Sequence, residues 1–484
     1  MKICLYNTYS RKKEIFKPQF KKTVKIYSCG PTVYDYDHLG HAWNYTMADL
    51  LIRTLQYNGY KIRYIINITD VGHLTSDNDS GEDKIEKSAQ EKHQTAQAIV
   101  QYFTEIYLTN RRKLNLVEPF LYPKASEHIP DIINLIKKIE KKGMAYKIND
   151  GVYFEVSKFP KYGHLSGNTL AQLKAGARIE INPQKHHPAD FALWKFTPEK
   201  VKRQMEWTSP WGKGFPGWHI ECSAMSLKYL GPTLDIHTGG EDNIFPHHES
   251  EIAQSETATG KQFVRYWFHP RFLMVEGQKM SKSLHNFYTL KDIEQKGFSP
   301  LALRYLFLTG HYRSQFNFTW ESLQSSQIAL NNLYDFIEYL LIIIKASRKL
   351  KPSKINNQQI KLKIAKWDKK FQQAINNDID TPKALSIVWQ LINTFNKNPN
   401  HEEAEIAYQL LMKWDKVLGL NLTHIKLEKL PLNIQKLTKK REKLRAQKKW
   451  PAADKLRLEI ERQGYLIKDT PFGSWVKLTN KINY

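Results

Sequence analysis

A strand–helix–strand pattern near the start of the chain restricts the possible fold most strongly. Residues 23–28 predict a strand that ends at a Gly-Pro turn, and residues 64–68 predict a second, almost entirely apolar strand. Between them, the apolar residues of 42–58 fall on one face of a predicted helix, which Gly59 ends. Such a unit packs right-handed with parallel strands, and an apolar strand is typical of a sheet buried on both faces. The segment therefore predicts an α/β fold.

A second group of α/β elements lies far downstream. Residues 234–237 predict a short strand, and a helix is predicted to begin near Pro246, where the missing N–H costs nothing. Residues 116–214 differ from both groups, because they combine a predicted helix over 129–142 with a predicted hairpin at 149–151 and with loops rich in Pro, His and Trp. This arrangement indicates an insertion between the two halves of a split Rossmann-like, parallel-sheet fold.

The C-terminal part has a different character. From about residue 320 onward the apolar pattern is wholly helical, which predicts a helical bundle. Residues 421–484 carry 16 Lys+Arg against 6 Asp+Glu, so that a small basic domain is expected at the C-terminus. A length of 484 residues is enough for such an organisation, since domains average roughly 150 residues.

The composition of the chain indicates which kind of partner and which cellular compartment to expect. The chain has 73 Lys+Arg and 48 Asp+Glu, a net charge of +25, which favours a polyanionic partner because each neutralised phosphate releases a counterion. An AT-rich genome is the alternative source of the many lysines. Three cysteines are too few for a disulfide framework, no signal peptide opens the chain, and the most apolar run, 339–344, is too short to cross a bilayer. We expect a cytoplasmic protein that does not contact membranes.

The tetrapeptide His38-Leu39-Gly40-His41 lies between the first strand and its helix. Ligands of open parallel sheets bind at this end of the strands, and a helix N-terminus offers free N–H groups to phosphate. Gly40 leaves room for a nucleotide base beside the backbone, and His38 and His41 can stabilise charge that develops on phosphate oxygens. Ordinary surface histidines are the alternative interpretation.

The pentapeptide Lys279-Met280-Ser281-Lys282-Ser283 follows a strand-like run at 272–275. Its two ammonium groups, on a small serine-containing loop, can close over a triphosphate and stabilise a leaving pyrophosphate. A solvated basic loop is the alternative. Together with the first motif, in this order and at these junctions, the pentapeptide resembles the paired signatures of class I aminoacyl-tRNA synthetases.

A third group of residues has the chemistry of a zinc site. Cys29 follows the first strand, Cys222 lies in the segment 217–223, and His247 and Glu251 are four residues apart on one helix face. Two thiolates, an imidazole and a carboxylate are a plausible zinc set. The spacing has no Cys-x-x-Cys pair, so small buried cysteines remain the alternative.

Four longer segments resemble the cysteinyl-tRNA synthetase family. They are Ser-Cys-Gly-Pro-Thr-Val-Tyr-Asp at 28–35, Asn-Ile-Thr-Asp at 67–70, Gly-Trp-His-Ile-Glu-Cys-Ser-Ala-Met at 217–225 and Phe-Pro-His-His-Glu at 245–249, followed by Glu251. The resemblance extends nearly from end to end. It implies one Zn²⁺ per chain that binds the thiol of the substrate, with Cys29, Cys222, His247 and Glu251 as ligands.

The same resemblance implies the reaction. Cysteine would react with ATP to give cysteinyl-adenylate, and the cysteinyl group would pass to the 3′-terminal adenosine of tRNA(Cys), with Mg²⁺ on the phosphates. Thr69, Trp218 and His237 would form the cysteine pocket, and His38, His41, Lys279 and Lys282 would be catalytic. The residues expected to contact ATP are Gly40, Gly239, Gly240, Asp242, Lys279, Ser281, Lys282 and Ser283.

The basic tail resembles the anticodon-recognising tail of the family, and a solvated helix face is the alternative. Its expected tRNA contacts are Lys439, Lys440, Arg441, Arg445, Lys449 and Trp450. We expect the chain to act as a monomer. The expected domains are a first catalytic half (1–115), the connective insertion (116–214), a second catalytic half (215–265), a stem-contact region with the lysine loop (266–325), a helical bundle (326–420) and an anticodon-binding domain (421–484).

Two positions depart from the family pattern. Val71-Gly72-His73-Leu74 replaces a segment with two aspartates and a lysine, and Leu284-His285-Asn286 replaces Leu-Gly-Asn. The first leaves the contacts of that loop open, and the second replaces a flexible glycine beside the lysine loop. Two other functions stay open at this point: a ligase that joins activated cysteine to a small amine, and a non-catalytic tRNA-binding relative.

Overall fold

The computed structural model describes residues 1–72, 83–175, 182–198, 203–281, 284, 286–347, 357–427 and 429–479. The chain divides into two compact units. Unit 1 comprises Met1–Asp292, His311–Phe318 and Asn376–Ile379, and unit 2 comprises Ile293–Gly310, Thr319–Ile375 and Asp380–Tyr484.

Strands occur mainly in unit 1. In chain order they are β1 (Cys4–Asn7), β2 (Lys12–Ile15), β3 (Thr23–Ser28), β4 (Lys61–Ile66), β5 (Ala145–Ile148), β6 (Gly151–Phe154), β7 (Phe191–Phe196), β8 (Trp207–Ser209), β9 (Gly212–Pro216), β10 (Leu234–Thr238), β11 (Val264–Phe268), β12 (Leu273–Val275), β13 (Gln278–Lys279), β14 (Phe316–Phe318), β15 (Tyr465–Thr470) and β16 (Gly473–Leu478).

Helices occur in both units. In chain order they are α1 (Leu39–Tyr57), α2 (Lys84–Glu91), α3 (Ala96–Lys113), α4 (Ile129–Lys141), α5 (Leu170–Ala175), α6 (Trp218–Leu230), α7 (Glu249–Thr259), α8 (Leu290–Gln295), α9 (Pro300–Leu308), α10 (Trp320–Ser347), α11 (Asn357–Asn376), α12 (Thr381–Lys397), α13 (His401–Leu418), α14 (Leu432–Ala446) and α15 (Trp450–Arg462).

The central sheet of unit 1 is parallel, as the βαβ pattern predicts. Its strand order is β11-β10-β3-β4, so the two halves of the sequence meet where β3 pairs with β10. Ser28 lies opposite both Ile66 and Thr238 in the register. The carboxyl ends of three strands are therefore level, and the residues that follow them share one edge of the sheet.

The predicted elements of the sheet are confirmed with small shifts in their ends. The strand at 23–28 has the predicted bounds, and the predicted strand at 64–68 is observed at Lys61–Ile66. The helix predicted over 42–58 begins earlier, at Leu39, because the side chain of His38 accepts a hydrogen bond from the N–H of Gly40 and caps it.

The insertion folds as a separate sheet within unit 1. Its five strands have the order β5-β6-β7-β9-β8, and every pair is antiparallel. The predicted hairpin is present as β5–β6, and the predicted helix is α4. The inserted sheet begins 79 residues after β4 ends and finishes 18 residues before β10, so the second half of the parallel sheet follows it in the chain.

Unit 2 is helical up to residue 462, but its last part is not. Strands β15 and β16 form an antiparallel hairpin over six residue pairs. The expectation of a wholly helical pattern is wrong for this segment. The two segments on either side of a Pro-Phe turn contain aromatic and β-branched residues that are typical of strands, namely Tyr465, Ile467, Thr470, Trp475 and Val476.

One described helix has the length and composition of a membrane span. The segment Trp320–Ala346 of α10 has 27 residues, its most apolar window of 18 residues has a mean hydropathy of 1.2, and 44% of that window is buried within the fold. A core helix that packs against neighbouring helices has the same properties, and Leu323, Leu330 and Leu333 of α10 are fully buried.

Candidate active site

The predicted zinc ligands lie together beyond the carboxyl ends of the central strands. The Sγ atoms of Cys29 and Cys222 are 4.0 Å apart, and Sγ of Cys29 is 3.7 Å from Oε1 of Glu251. Nε2 of His247 is 3.2 Å from the same carboxylate oxygen. All four residues are buried, and their donor atoms lie within 4.8 Å of one another.

These distances suit a tetrahedral ion. Bonds of about 2.3 Å to sulfur and about 2.0 Å to nitrogen or oxygen place neighbouring ligand atoms roughly 3.3–3.8 Å apart. Burial raises the pKa of the Cys29 thiol well above its usual range, and burial also raises the pKa of Glu251. Their anionic forms are therefore costly without a nearby positive charge, which a divalent cation supplies. The donor set fits a metal.

A second donor set overlaps the first and contains a histidine that was not predicted from the sequence. It comprises Cys29, His237, His248 and Glu251. Nε2 of His248 lies 3.3 Å from Sγ of Cys29. The available signal was its position directly after His247 in the Phe-Pro-His-His-Glu segment.

The residues predicted for the cysteine pocket surround this cluster. The Trp218 ring lies 4.7 Å from the ring of His247. The hydroxyl of Thr69 donates to Glu221 over 3.2 Å and accepts from Nδ2 of Asn67. Nε2 of His237 lies 3.0 Å from Oε2 of Glu251, so this imidazole contacts a predicted metal ligand.

The first signature lies at the N-terminus of α1. Nδ1 of His38 accepts the N–H of Gly40 over 3.0 Å, and Nδ1 of His41 accepts the N–H of His38 over 3.4 Å. Desolvation lowers the pKa of His41, which favours its neutral form. Since both Nδ1 atoms accept, the neutral rings carry their protons on Nε2 and act as donors.

The two signatures are in contact. A Cβ on Gly40 would lie 2.8 Å from Cε1 of His38 and 3.3 Å from the terminal methyl carbon of Met280. The N–H of Leu39 donates to the carbonyl of Tyr288 over 2.9 Å. Gly40 therefore leaves room for the His38 ring, and the second signature lies beside the start of α1.

Asn286 hydrogen-bonds to two described residues of the second signature, a role that was not predicted from the sequence. Its Oδ1 accepts the N–H of Ser281 over 2.8 Å, and its Nδ2 donates to the carbonyl of Lys279 over 3.2 Å. Lys279 is exposed at the end of β13. The predicted residues Lys282 and Ser283 and the divergent residues His73 and His285 lie outside the described residues.

The residues predicted on the nucleotide side follow β10. A Cβ on Gly239 would lie 2.6 Å from Cε1 of His248, so a larger residue there would displace this imidazole. The N–H of Gly240 donates to Oδ1 of Asn243 over 3.0 Å, and Asp242 is exposed in the next turn.

The basic C-terminal residues divide into exposed and buried side chains. Lys439, Lys440, Lys449 and Trp450 are exposed, and Arg445 lies 5.3 Å from the Trp450 ring.

Arg441 differs from the other predicted tRNA contacts. Its side chain is fully buried, and its Nη2 donates to Oδ2 of Asp469 over 2.8 Å. The physical reason is periodicity, since Ile434, Thr438 and Arg441 share the buried face of α14. In this structure the guanidinium holds α14 to the hairpin and does not face a solvent-accessible ligand.

Comparison with known proteins agrees with the geometry. Residues 15–328 match the family described as tRNA synthetases class I (C) catalytic domain, and residues 370–423 match the DALR domain. Class I synthetase and DALR domains bind ATP, an amino acid and tRNA, so these are the ligands of the chain. The overall fold resembles Mycobacterium tuberculosis methionyl-tRNA synthetase bound by methionyl-adenylate, with a TM-score of 0.60 and 14% identity over 84% of this chain and 93% of that chain.

Curated relatives match the chain over its whole length. Cysteine–tRNA ligase 1 of Burkholderia lata is 42% identical over 98% of this chain and 96% of its own. Cysteine–tRNA ligases of Treponema denticola and Thermococcus onnurineus are 41% and 40% identical over 97% and 99% of this chain and 98% and 100% of their own. Identity at this level over nearly the whole of both chains shows that the protein belongs to the cysteine–tRNA ligase family of class I aminoacyl-tRNA synthetases.

Proposed function

We propose that the chain is a cysteine–tRNA ligase that activates L-cysteine with ATP and transfers it to tRNA(Cys). The observation that carries this proposal is the buried group of Cys29, Cys222, His247 and Glu251 at the same sheet edge as the His38 signature. Full-length relatives carry the same activity in their names. A ligase for a small amine is less well supported, because the DALR domain and the basic tail follow the catalytic part.

We propose that the four clustered residues hold one Zn²⁺. When bound, this ion would take the thiol of cysteine and prefer it to the hydroxyl of serine, because zinc is a borderline-soft acid that favours sulfur. The shape of the pocket alone gives only about 1–3 kcal/mol of discrimination between substrates as similar as cysteine and serine. Thr69, Trp218 and His237 would complete the pocket around the substrate.

In the first step, a carboxylate oxygen of cysteine forms a bond to the α-phosphorus of ATP, and the bond from that phosphorus to the bridging oxygen of pyrophosphate breaks. A carboxylate is already a nucleophile, so positioning and charge stabilisation are the main requirements. Nε2–H groups of His38 and His41 would donate to phosphate oxygens. Lys279 and Lys282 would neutralise the leaving pyrophosphate, to which Mg²⁺ is also expected to bind.

Five further residues would contact the nucleotide without a charge-stabilising role. Gly239 and Gly240 allow the backbone to approach ATP closely, and Asp242 would accept a hydrogen bond from a ribose hydroxyl. Ser281 and Ser283 would complete the lysine loop over the phosphates.

In the second step, a hydroxyl of the 3′-terminal adenosine attacks the carbonyl carbon of the adenylate, and AMP leaves. The exposed residues Lys439, Lys440, Lys449 and Trp450, with Arg445, would contact the tRNA backbone and an unstacked base. We propose that the enzyme works as a monomer in the cytoplasm.

Cysteine-dependent exchange of pyrophosphate into ATP tests the first step, with serine as the matched substrate, and charging of tRNA(Cys) tests the second. We expect exchange with cysteine, none above background with serine, and charging of the tRNA. Exchange without charging would instead identify the small-amine ligase, and the absence of any exchange would overturn the enzyme assignment.

A further inference from the structure

Three side chains form a continuous hydrogen-bonded chain behind Cys29. Nε2 of His248 lies 3.3 Å from Sγ of Cys29, and Nδ1 of His248 lies 2.7 Å from Nε2 of His269. Nδ1 of His269 lies 2.8 Å from Oγ1 of Thr8. His248 is fully buried and His269 is 7% exposed. Thr8, the last residue of this hydrogen-bonded series, is half-buried.

When Cys29 is a metal-bound thiolate, only one arrangement of protons satisfies all the hydrogen bonds of this series. Each of the two imidazoles forms a hydrogen bond through both of its ring nitrogens, and a neutral imidazole has one donor and one acceptor nitrogen. A thiolate only accepts, hence Nε2 of His248 must donate to it. Nδ1 of His248 then accepts from Nε2–H of His269, and Nδ1 of His269 accepts from the hydroxyl of Thr8.

The surrounding structure holds the imidazole of His248 in place. Gly239 leaves the space into which this ring projects. The rings of His237 and Trp267 lie 4.4 and 4.9 Å from it. The N–H of Thr8 donates to the carbonyl of Trp267 over 3.0 Å, so that Thr8, the last member of the hydrogen-bonded series, is held against β11.

His248 is better placed beside the metal than on it. The donor set that contains His248 omits Cys222, whereas the set that contains His247 includes both thiols. Zinc binds two thiolates in preference to one thiolate with an additional imidazole. The ring of His248 is therefore available to donate to the sulfur of Cys29.

We propose that His248, His269 and Thr8 are positioning residues for the metal centre, acting through the sulfur of Cys29. This inference rests on the metal site of the proposed function. The hydrogen bond orients the thiolate and withdraws charge from it, and the His269–Thr8 pair keeps His248 in the tautomer that donates. Loss of outer partners of this kind typically weakens metal binding about 10- to 100-fold.

The test uses the full-length protein and measures metal binding directly. Thr8→Val removes the hydroxyl at nearly constant shape, whereas Thr8→Ser keeps the hydroxyl. His269→Phe removes the imidazole that bonds to His248. His128→Phe is the matched control, since His128 is a buried imidazole of unit 1 that bonds to the hydroxyl of Tyr229 over 2.8 Å and to the Lys124 carbonyl. Zinc affinity is measured by chelator competition, and Co²⁺-substituted protein reports the sulfur-to-cobalt charge-transfer band.

We expect Thr8→Val and His269→Phe to weaken zinc binding about 10- to 100-fold and to shift the charge-transfer band. Thr8→Ser and His128→Phe should leave both unchanged. Unchanged affinity and band position in Thr8→Val and His269→Phe would overturn the inference while the metal site stands. A wild-type protein that binds neither ion would instead overturn the proposed metal site itself.

Discussion

Replacement of Gly40 by alanine should move the His38 ring of the first signature without destabilising the fold. The new Cβ would lie 2.8 and 2.9 Å from Cε1 and Nδ1 of His38, whereas ordinary contacts begin at 3.4 Å. Because packed side chains leave no void, the ring must move by about half an ångström. A displacement of 1 Å costs about 100-fold in rate, so this one should cost about tenfold.

The free energy of unfolding should not fall with the rate. Gly40 is the second residue of α1 and has no positive φ, so alanine fits the backbone. Alanine in place of glycine stabilises a helix by about 0.5–1 kcal/mol. We therefore expect the free energy of unfolding to stay constant or to rise, while adenylate formation slows.

Pyrophosphate exchange measures the rate constant and the KM values for ATP and cysteine, and urea unfolding measures stability. We expect a slower exchange rate with an unchanged KM for cysteine. Because Met280 also approaches this point, at 3.3 Å, the double variant with Met280→Ala shows which contact matters. Full activity in Gly40→Ala, or recovery in the double variant, would refute the role assigned to the His38 ring.

Three further predictions concern the metal, the lysine loop and the C-terminal hairpin. Cys222→Ser should lose bound metal and cysteine-dependent exchange together, whereas Cys4→Ser, on the edge strand β1, should keep both; full activity in a metal-free preparation contradicts this. Asn286→Ala removes two hydrogen bonds of about 1 kcal/mol each, so the KM for ATP should rise about 10- to 30-fold while that for cysteine stays constant. An unchanged KM for ATP would mean that Asn286 does not shape the loop. Asp469→Asn should lower stability by about 2 kcal/mol at about pH 7, because its hydrogen bonds to Arg441 are charge-assisted. Arg441 lowers the pKa of Asp469, so this stabilisation is present above the ordinary carboxyl pKa and is lost as the pH falls through the lowered value. Urea unfolding should therefore show a difference that shrinks as the pH falls below the ordinary carboxyl pKa, and a difference that does not change with pH in this range would contradict the assignment.

The local sequence determined several of the helices and strands and the approximate positions of their ends. The strand at 23–28 and the helix at 129–141 follow from periodicity and from terminal residues, both of which act within a few positions. The C-terminal hairpin was not predicted, because each of its strands has only six residues and both follow a long region with a helical pattern. The order of the two signatures and the resemblance to the family were also enough to predict the class of reaction.

Tertiary structure decided which side chains share an environment. Cys29 and Cys222 are 193 positions apart, and their sulfur atoms lie 4.0 Å from each other because α6, which carries Cys222, packs against β3. The pairing of β3 with β10 places His248 beside Cys29, although His247 and His248 are equivalent in the sequence.

Burial separated Arg441 from its basic neighbours, since the face of a helix that packs inward depends on what it packs against. The sequence thus determined the chemical groups of the chain. The fold determined which of them meet at the sheet edge, because distance between remote residues is set by strand register and packing and not by local propensity.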